Sequence, residues 1–566
     1  MNIWKRCAAL LLALTMIIGL TTGCGEEATA DSLALSVCLG DGLDTFDPIY
    51  ATEIEDMTVV SHLYENLMRV KTDAAGETVV VPGMAKSYEQ ELNHDGTVTW
   101  TFKLESARWS DGKEVKADDF VYAWRRLANP ASGSPFANLL SIVAGYDEVR
   151  ATGDTSLLQV TAKNNTTLEV VLSGNFDWFL TDVCTSPAAS PLREDVVTTL
   201  RDAAVERNKL RETATGTVGT EKWWTKTENL VTNGPYVISE YDEDVSLTLK
   251  PFSRYHSGEV GPVQLTFCFA DSAKQAQALY DEGDVAFITP LTDEQMAEKM
   301  SAEGWRPTYE LHTYVAEFNC DREPFTDPLV RQAMVLAIDR AAIAQTVGVS
   351  AAAATGLVPP GVPGNEEGDF RTISTVELDN APETYAERCA LAKELLAEAG
   401  YDSGSYLGEI PLHYLDTPEH NAAAQLLAQQ WQEALRVQVI PTPLELADLR
   451  ALVRSGDYSL LALSLRSVSN DAEGFLMQFT TDSESNLANY GNSAYDTLIG
   501  IIAGAAGGTA RTGCLQDAEV LLMDDNAVAP LYNTVVEWTL REDLTGLCRD
   551  ARGWFWLGDV CARAED

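Results

Sequence analysis

The sequence has little positive charge. Lys and Arg number 40 against 85 Asp and Glu, so the formal net charge is −45 over 566 residues. A nucleic acid is therefore excluded as a partner, because binding phosphates requires a basic surface. Hydrophobic residues make up 45% of the chain, which is ordinary for a folded protein and excludes a largely disordered one. The length predicts two or three domains.

Histidine is scarce, and neither histidine nor cysteine has the spacing of a metal site. The six His, at positions 62, 94, 256, 312, 413 and 420, form no i,i+4 pair. CxxC and HExxH motifs do not occur, which argues against a zinc site of the familiar spacings. The GxSxG motif of hydrolases does not occur either. We expect no metal, no cofactor and no catalytic residues.

The N-terminus has the pattern of a secretion signal. Lys5 and Arg6 precede an apolar run over 8–20, and small residues follow up to Cys24. The run is too short for a transmembrane helix, which needs ~20 residues. A Cys directly after small residues resembles the lipobox of bacterial lipoproteins. We therefore expect a signal peptide at 1–23, a lipid on Cys24 and a polar tether at 24–32; the alternative is an ordinary signal peptide with an incidental Cys24.

Eight cysteines remain once Cys7 of the signal peptide and Cys24 are set aside from the total of ten. Cys38 and Cys268 both fall in predicted strands, while Cys548 and Cys561 are near neighbours in sequence. An exported chain can form disulfides, but a protein with large cores does not need them. Buried free thiols and disulfides both remain open.

Apolar spacing predicts that strands and helices alternate along the chain. Strands are predicted at 32–39, 97–104 and 263–270, and helices at 57–70, 117–127, 273–282 and 382–399. Asp327-Pro328 is predicted to open a further helix, because Asp caps helices and Pro fits their first position. A β-α-β pattern follows over 410–441. This alternation favours α/β lobes with mixed or parallel sheets, whereas 193–232 has no clear pattern.

A series of motifs resembles one family, the peptide-binding (family 5) extracellular solute-binding proteins of ABC importers. In order along the chain they are 43–48 (LDTFDP), 63–67 (LYENL), 81–88 (VPGMAKSY), 102–111 (FKLESARWSD), 115–126 (VKADDFVYAWRR), 233–236 (NGPY), 318–319 (FN), 324–333 (PFTDPLVRQA), 358–361 (VPPG) and 392–401 (AKELLAEAGY). Each motif alone is weak evidence for the family, and the resemblance is specific because the motifs follow one another in the family's order along the chain. Most of them have a local structural role, in turns and buried aromatics, so function must still be argued from the site.

The resemblance implies a two-lobed α/β protein of the periplasmic-binding-protein type (type II, class C) with an extra small β-rich domain. The first lobe is expected at 33–68, 186–307 and 538–566, the β-rich domain at 69–185 and the second lobe at 308–537. Ligand is expected in a cleft between the lobes, which close over it. Such closure is a population shift driven by a ligand that binds the closed form better.

The resemblance also implies where a peptide is held. In the family, an Asp in a D-Y-N-[DE]-P loop just before Phe-Leu pairs with the amino group of the peptide. Aligned on Phe475-Leu476, this loop is VSNDA here, with Val468 at the Asp position, and Val cannot supply a charged contact. Either Asp471 substitutes, or the register is shifted, or the ligand has no free amino group. The predicted ligand-binding residues are Glu53, Asp56, Asn233, Asn319, Ser469, Asn470, Asp471 and Phe475. The aromatic residues expected nearest the cleft are Phe46, Tyr50, Tyr314 and Phe475, with core packing as the alternative.

The expected function is that of a substrate-binding lipoprotein that captures peptides, with oligopeptides as the leading class, and delivers them to a membrane permease. The expected partners are a peptide, the permease and ATPase of an ABC importer, and the membrane, reached through the N-terminal lipid on its outer or periplasmic face. A monomer is expected. The alternatives are a binding protein for nickel, haem or a sugar, a peptide-sensing receptor and, from another class, a secreted hydrolase.

Overall fold

A computed structural model describes residues 33–73, 78–206, 210–213, 216–219, 227–258, 260–365, 368–504 and 509–563. The predicted signal peptide, Cys24 and the tether lie outside the described residues. The chain divides into two compact units. Unit 1 holds the residues up to Ser173, Phe179–Thr292 and those from Trp538 onward, and unit 2 holds Gly174–Trp178 and Asp293–Glu537. The separate β-rich domain at 69–185 stays a prediction.

Among its described residues, unit 1 combines five α-helices with two larger sheets. Its helices are α1 (Ile54–Leu63), α2 (Ala117–Ala128), α3 (Tyr146–Thr152), α4 (Glu194–Glu206) and α5 (Ala273–Asp281). Its strands are β1 (Ala34–Gly40), β2 (Met68–Thr72), β3 (Thr78–Pro82), β4 (Ala85–Leu92), β5 (Val98–Leu104), β6 (Val160–Asn164), β7 (Thr167–Leu172), β8 (Leu210–Thr213), β9 (Gly216–Gly219), β10 (Tyr236–Asp242), β11 (Ser246–Pro251), β12 (Gln264–Phe269), β13 (Phe287–Ile288) and, after unit 2, β22 (Thr539–Leu540), β23 (Leu544–Thr545), β24 (Cys548–Arg549), β25 (Phe555–Trp556) and β26 (Cys561–Ala562).

The main sheet of unit 1 has six strands in the order β10-β11-β12-β1-β13-β22. Strands β12, β1 and β13 run parallel, and the outer pairings are antiparallel. A second, antiparallel sheet has the order β4-β5-β7-β6. The β4-β5 pair is an antiparallel hairpin whose turn contains Asp95-Gly96, and Gly96 has the positive φ that this turn requires.

Unit 2 is built on one mixed sheet. Its helices are α6 (Asp293–Met300), α7 (Pro328–Leu336), α8 (Arg340–Val347), α9 (Phe370–Ile373), α10 (Tyr385–Glu398), α11 (Pro418–Leu435), α12 (Leu446–Ser455), α13 (Ala472–Leu476), α14 (Ser493–Gly504) and α15 (Thr509–Asp524). Its strands are β14 (Thr308–Phe318), β15 (Ala351–Ala353), β16 (Pro363–Asn365), β17 (Gly368–Asp369), β18 (Glu409–Leu415), β19 (Gln438–Leu444), β20 (Leu460–Arg466) and β21 (Val528–Val536).

The sheet of unit 2 has the order β15-β21-β14-β20-β18-β19. Strand β18 runs parallel to β19 and β20, so the β-α-β unit predicted over 410–441 is confirmed. The core below it centres on Trp431, whose indole N–H donates to the Met334 carbonyl at 2.8 Å. The predicted start of α7 is also confirmed: Asp327 accepts a hydrogen bond from the Leu329 N–H, and Pro328 takes the first helical position.

The helix predicted over 57–70 is wrong at both ends. Helix α1 spans Ile54–Leu63, and a turn and the strand β2 take the place of the C-terminal part of the predicted helix. The apolar stripe continues past Leu63, but Asn66 donates to the carbonyls of Val183 and Ser186 and accepts from the Leu67 N–H. Strand β2 then pairs with β3. Tertiary hydrogen bonds therefore override helical periodicity here.

Candidate functional site

Two of the predicted ligand-binding residues, Glu53 and Asp56, lie at the carboxyl end of the parallel strands of unit 1. Glu53 is exposed and sits at the N-cap position of α1, directly after the loop that follows β1. Asp56 is fully buried, and its Oδ1 accepts from the Asp44 and Thr45 N–H groups at 2.9 and 3.4 Å. The carboxyl ends of parallel strands are where α/β proteins hold ligands, because the loops there diverge.

The acidic groups at this edge tend to carry protons. Burial raises the pKa of Asp56 to about 7, although its two backbone hydrogen bonds act in the opposite direction. Burial likewise raises the pKa of Glu55 to about 7, and neighbouring carboxylates add to the effect. Glu55 packs against Gly40, where a Cβ would stand 2.5 Å from its Oε1. Only glycine leaves room for this carboxyl at the end of β1.

The loop 467–471 occupies the equivalent edge in unit 2, at the carboxyl end of β20. The Ser467 hydroxyl donates to the Ser469 carbonyl at 2.7 Å and accepts from the Ser469 N–H at 3.1 Å. Gly474 packs closely below, where a Cβ would lie 2.2 Å from the Ser467 Oγ and 2.4 Å from the Ser469 Oγ. The predicted site residues Ser469, Asn470 and Asp471 all lie in this loop, and Ser469 is fully buried.

Asp471 belongs to a compact charged cluster. Its carboxylate caps α13 by accepting from the Glu473 N–H at 2.8 Å, and it forms two hydrogen bonds with the Arg511 guanidinium at 3.0 and 3.1 Å. Arg511 also donates to Glu473 at 2.7 Å. The Trp178 indole N–H donates to the same Glu473 carboxylate at 3.2 Å. Burial raises the pKa of Glu473, and the guanidinium of Arg511 opposes the shift.

Arg511, Glu473 and Trp178 were not predicted as site residues. They are separated from one another by 38 residues or more in sequence, and a single sequence carries no signal that such distant residues meet. The spacing of Asp471 and Glu473 around a helix start was the only visible hint of a clustered charge.

A second group lies at the same edge of unit 2, and of its members Tyr314 was predicted near the cleft whereas His312, His420 and Tyr532 were not. The ring of His420 stacks on Tyr314 with centroids 4.5 Å apart, and Tyr314 in turn contacts Tyr532. His312 Nε2 is 2.8 Å from the Thr534 hydroxyl. Burial lowers the pKa of both histidines, so they are neutral at pH 7. Tyr314, Tyr532 and His312 are buried, whereas His420 is partly exposed, so one uncharged ring is available to a ligand at this edge.

The structure does not bring Asn233 and Asn319 to these edges. Asn233 accepts from the Glu65 N–H and donates to the Glu65 carbonyl, beyond the far end of α1, ~15 Å from Glu53 by the length of that helix. Asn319 donates to the Tyr458 carbonyl beside the start of β20, ~20 Å from the loop 467–471 by the length of that strand. Each amide therefore joins two segments of backbone within its own unit.

Phe475 and most of the predicted cleft aromatics lie inside their own unit. Phe475, Phe46 and Tyr314 have 1% or less of their surface exposed, whereas Tyr50 is 37% exposed. The Tyr50 hydroxyl donates to the Ser132 carbonyl at 2.6 Å. Three of these four rings are thus core residues, because burying a large aromatic ring stabilises a folded core.

Within the described residues, no group of three or more His, Cys, Asp or Glu side chains is arranged to hold a metal ion. The expectation that the chain binds no metal stays a prediction. In the described part of the chain, no helix combines the length and apolar character needed to cross a membrane.

Comparison with known proteins identifies the family. The family model for bacterial extracellular solute-binding proteins, family 5, matches residues 79–486, well over half of the chain. The chain belongs to this family. The resemblance seen in the motifs is thus confirmed, and with it the two-lobed α/β fold of periplasmic binding proteins. Family 5 proteins are binding proteins, whereas nothing in the match concerns a lipid anchor.

Relatives of this family 5 chain align over most of its length. The probable deoxycholate-binding periplasmic protein YgiS of Escherichia coli is 29% identical, with 86% of this chain and 85% of the relative covered. The periplasmic murein peptide-binding protein MppA of E. coli is also 29% identical, with the same coverage of 86% and 85%. The crystal structure of Haemophilus influenzae OppA in complex with RPPGFSPFR has a TM-score of 0.72 and 25% identity, covering 94% of this chain and 99% of that one.

Proposed function

We propose that this chain is the lipid-anchored binding protein of an ABC importer, which captures peptides outside the membrane and delivers them to a permease without changing them chemically. The family 5 match over residues 79–486 carries the proposal. The names of relatives support a peptide ligand: MppA is named for murein peptides, and OppA was solved with RPPGFSPFR. Cys24 is the proposed site of the lipid, and export precedes lipidation in this proposal.

Capture proceeds by lobe closure in this proposal. A ligand that binds the closed form better than the open form shifts the population toward closure, and the closed form is the one presented to the permease. No catalytic group is required, since no bond is made or broken.

The charge of the Asp471 cluster supports binding of an amino group. Two carboxylates share one guanidinium, so the cluster of Asp471, Glu473 and Arg511 keeps a net negative charge when both acids are ionised. The Asp471 side chain is 15% exposed, whereas Glu473 is almost fully buried. Asp471 is therefore the member of the cluster that a peptide ammonium can reach.

A ligand without an amino group is the second candidate. Val468 stands where peptide binders of the family place their anchoring Asp, and the relative YgiS is named for deoxycholate, a carboxylate without an amine. The neutral ring of His420 in unit 2, which is partly exposed and stacks on the buried Tyr314, suits an apolar group.

A thermal-shift screen of the mature chain, refolded to remove carried-over ligand, separates the two candidates. The ligands are a mixed oligopeptide library, its N-acetylated copy and deoxycholate. A ligand present at 100 times its Kd adds about 2.7 kcal/mol of stability. Stabilisation by free peptides alone indicates an amine anchor, and equal stabilisation by acetylated peptides indicates peptide binding without one. Stabilisation by deoxycholate alone favours the second candidate, and no response to any of them contradicts both.

Variants locate the amine anchor. Asp471→Asn keeps the helix cap but loses one charge, so free peptides should bind at least ten-fold more weakly while acetylated peptides change little. Asp482→Asn removes an exposed carboxylate elsewhere in unit 2 and serves as the matched control. Equal losses for free and acetylated peptides in Asp471→Asn would show that Asp471 acts only through folding.

A further inference from the structure

Two cysteines of unit 1 are direct neighbours on adjacent strands of its main sheet. Strands β1 and β12 run parallel, and their register places Cys38 opposite Cys268. On either side, Cys268 is paired with Ser246 and Cys38 with Ile288, so four residues form one row across the sheet. Residues paired in register point to the same face of a sheet. The two sulfur atoms therefore lie on the same face, side by side.

The spacing of the strands fits a covalent link. Neighbouring strands lie about 4.7–4.9 Å apart, and disulfides join residues whose Cα atoms are about 4.4–6.8 Å apart. The register of β1 against β12 shifts directly after Cys38, where Gly40 pairs with Phe269. Such an irregularity disrupts the ladder locally, directly next to Cys38.

The row lies on the less buried face of the sheet. Ser36, Thr266 and Cys268 are partly exposed on this face, whereas Val37 and Phe267 on the other face are buried. Cys268 is thus partly exposed, while Cys38 is 1% exposed, and both are free thiols in the structure. Thiol–disulfide exchange passes through a mixed disulfide at one cysteine, which a second cysteine close by resolves.

We propose that Cys38 and Cys268 form a disulfide that ties β1 to β12. The bond forms by thiol–disulfide exchange with the disulfide of an oxidising protein or with a low-molecular-weight disulfide. The oxidant disulfide first joins Cys268 and releases one of its own thiols; the Cys38 sulfur then displaces the second, so two thiols are oxidised while one disulfide is reduced. The proposal is independent of the ligand and goes beyond the proposed transport function.

The timing of the reaction follows from the environment of the thiols. Burial raises the pKa of Cys38 to about 11 and that of Cys268 to about 12. The folded thiols hold little thiolate at neutral pH, so exchange is slow once the sheet has closed. The bond is therefore expected to form during folding, between residues 230 apart in sequence, where a link restricts the unfolded chain strongly.

Refolding in a redox buffer tests the proposal. The full chain is reduced and unfolded in guanidinium, refolded with oxidised and reduced glutathione, quenched with iodoacetamide and isolated as the native species by gel filtration. After digestion, mass spectrometry should find the Cys38 and Cys268 peptides joined, with a mass two hydrogens below the sum of the two thiol peptides. Recovery of both residues in alkylated form, or joined to other cysteines, overturns the proposal.

Two variants check the stabilising effect of the bond. Cys561→Ser removes a partly exposed cysteine of the same unit and should retain the linked peptides. Adding a reductant should lower the melting temperature of the wild type and of Cys561→Ser by several degrees but leave that of Cys268→Ser unchanged. An equal response of all three proteins to the reductant contradicts a structural role for the bond. A failure to bind ligand in the same samples would count against the proposed transport function and not against the disulfide.

Discussion

Glu317 is a carboxylic acid inside the sheet of unit 2. It lies on β14 between Leu461 and Val528, is 1% exposed, and its Oε2 has no hydrogen-bond partner among the described residues. Burial raises the pKa of Glu317 to about 8. A carboxylate without a counter-ion is costly in a core, so the side chain is held as the neutral acid at pH 7.

Replacing Glu317 with Gln should stabilise unit 2 at alkaline pH. In the folded state the group keeps its proton up to pH 8, whereas the unfolded chain loses it near pH 4.5. Its contribution to stability is therefore complete below pH 4.5 and is lost as the pH rises through 8. Urea unfolding at pH 8.5 should show Glu317→Gln more stable than wild type by about 3–5 kcal/mol, with little difference at pH 5.

An exposed glutamate provides the control for this pH effect. Glu383→Gln changes the same functional group on the surface of unit 2 and should follow the wild-type profile at both pH values. If Glu317→Gln lost stability at pH 8.5, the carboxyl of Glu317 would have an ionic role that its surroundings do not show.

Single residues also mark the limit of sequence-based prediction for the site. Asp471 was predicted as a site residue from its place in a motif, and the structure places it in the loop after β20, at the N-cap of α13. Its partner Arg511 was not predicted, because the contact joins α13 to α15 across 40 residues. The sequence shows which residues are charged, but which of them form an ion pair depends on how the folded chain packs.

Helix α15 is attached to the rest of unit 2 by a buried ion pair. Arg371 forms two hydrogen bonds of 2.6 Å with the carboxylate of Glu519, which has no exposed surface. The Leu357 and Val358 N–H groups donate to the same carboxylate at 3.0 and 3.1 Å. One glutamate thus joins a helix, an arginine and a backbone turn.

Breaking this pair should destabilise unit 2 strongly. Arg371→Met leaves Glu519 buried with its charge uncompensated, and such losses cost about 3–5 kcal/mol. The double variant Arg371→Met/Glu519→Leu should recover much of this loss, since no unpaired charge remains. Arg541→Met breaks an exposed pair with Asp543 and should cost less than about 1 kcal/mol in the same denaturant titrations. A small loss in Arg371→Met would show that water reaches Glu519.

The packing of the loop 467–471 should require glycine at position 474. In Gly474→Ala the new methyl group would overlap the hydroxyls of Ser467 and Ser469, so we expect a loss of about 1–3 kcal/mol in unfolding free energy. Gly500→Ala is the matched control, because position 500 in α14 has open space around it. That variant should be neutral or more stable by up to about 1 kcal/mol. Equal effects of the two variants would contradict the close packing of the loop.

Elements were predicted best where local signals agree with packing. The start of α7 was predicted because a cap and a proline act within one turn, and both contacts occur in the structure. The end of α1 was missed because Asn66 bonds to Val183 and Ser186, far away in sequence. Apolar spacing alone cannot distinguish a continuing helix from a turn and strand that are buried equally well.

At the scale of the whole molecule, unit 1 is assembled from segments that are distant in sequence. Strand β22 extends its main sheet by pairing with β13. The Phe555 N–H donates to the Thr58 hydroxyl, and the Leu557 N–H donates to His62 Nε2, both at 3.0 Å. The ring of Trp556 stacks on His62 at 4.6 Å. The C-terminal segment therefore completes the packing of α1, whereas unit 2 is almost one continuous stretch of chain.

Deleting residues 538–566 should consequently unfold unit 1 and spare unit 2. The deletion removes both backbone donors to Thr58 and His62, uncovers α1 and leaves β13 as an exposed edge. Hydrogen exchange should show lost protection in β1 and β12 but retained protection in β14 and β20, which have their own core. The variant His62→Ala, which keeps the segment but loses one of its contacts, should weaken protection only in part. Full protection of β1 in the truncated chain would mean that the first two segments of unit 1 form a stable core without the third.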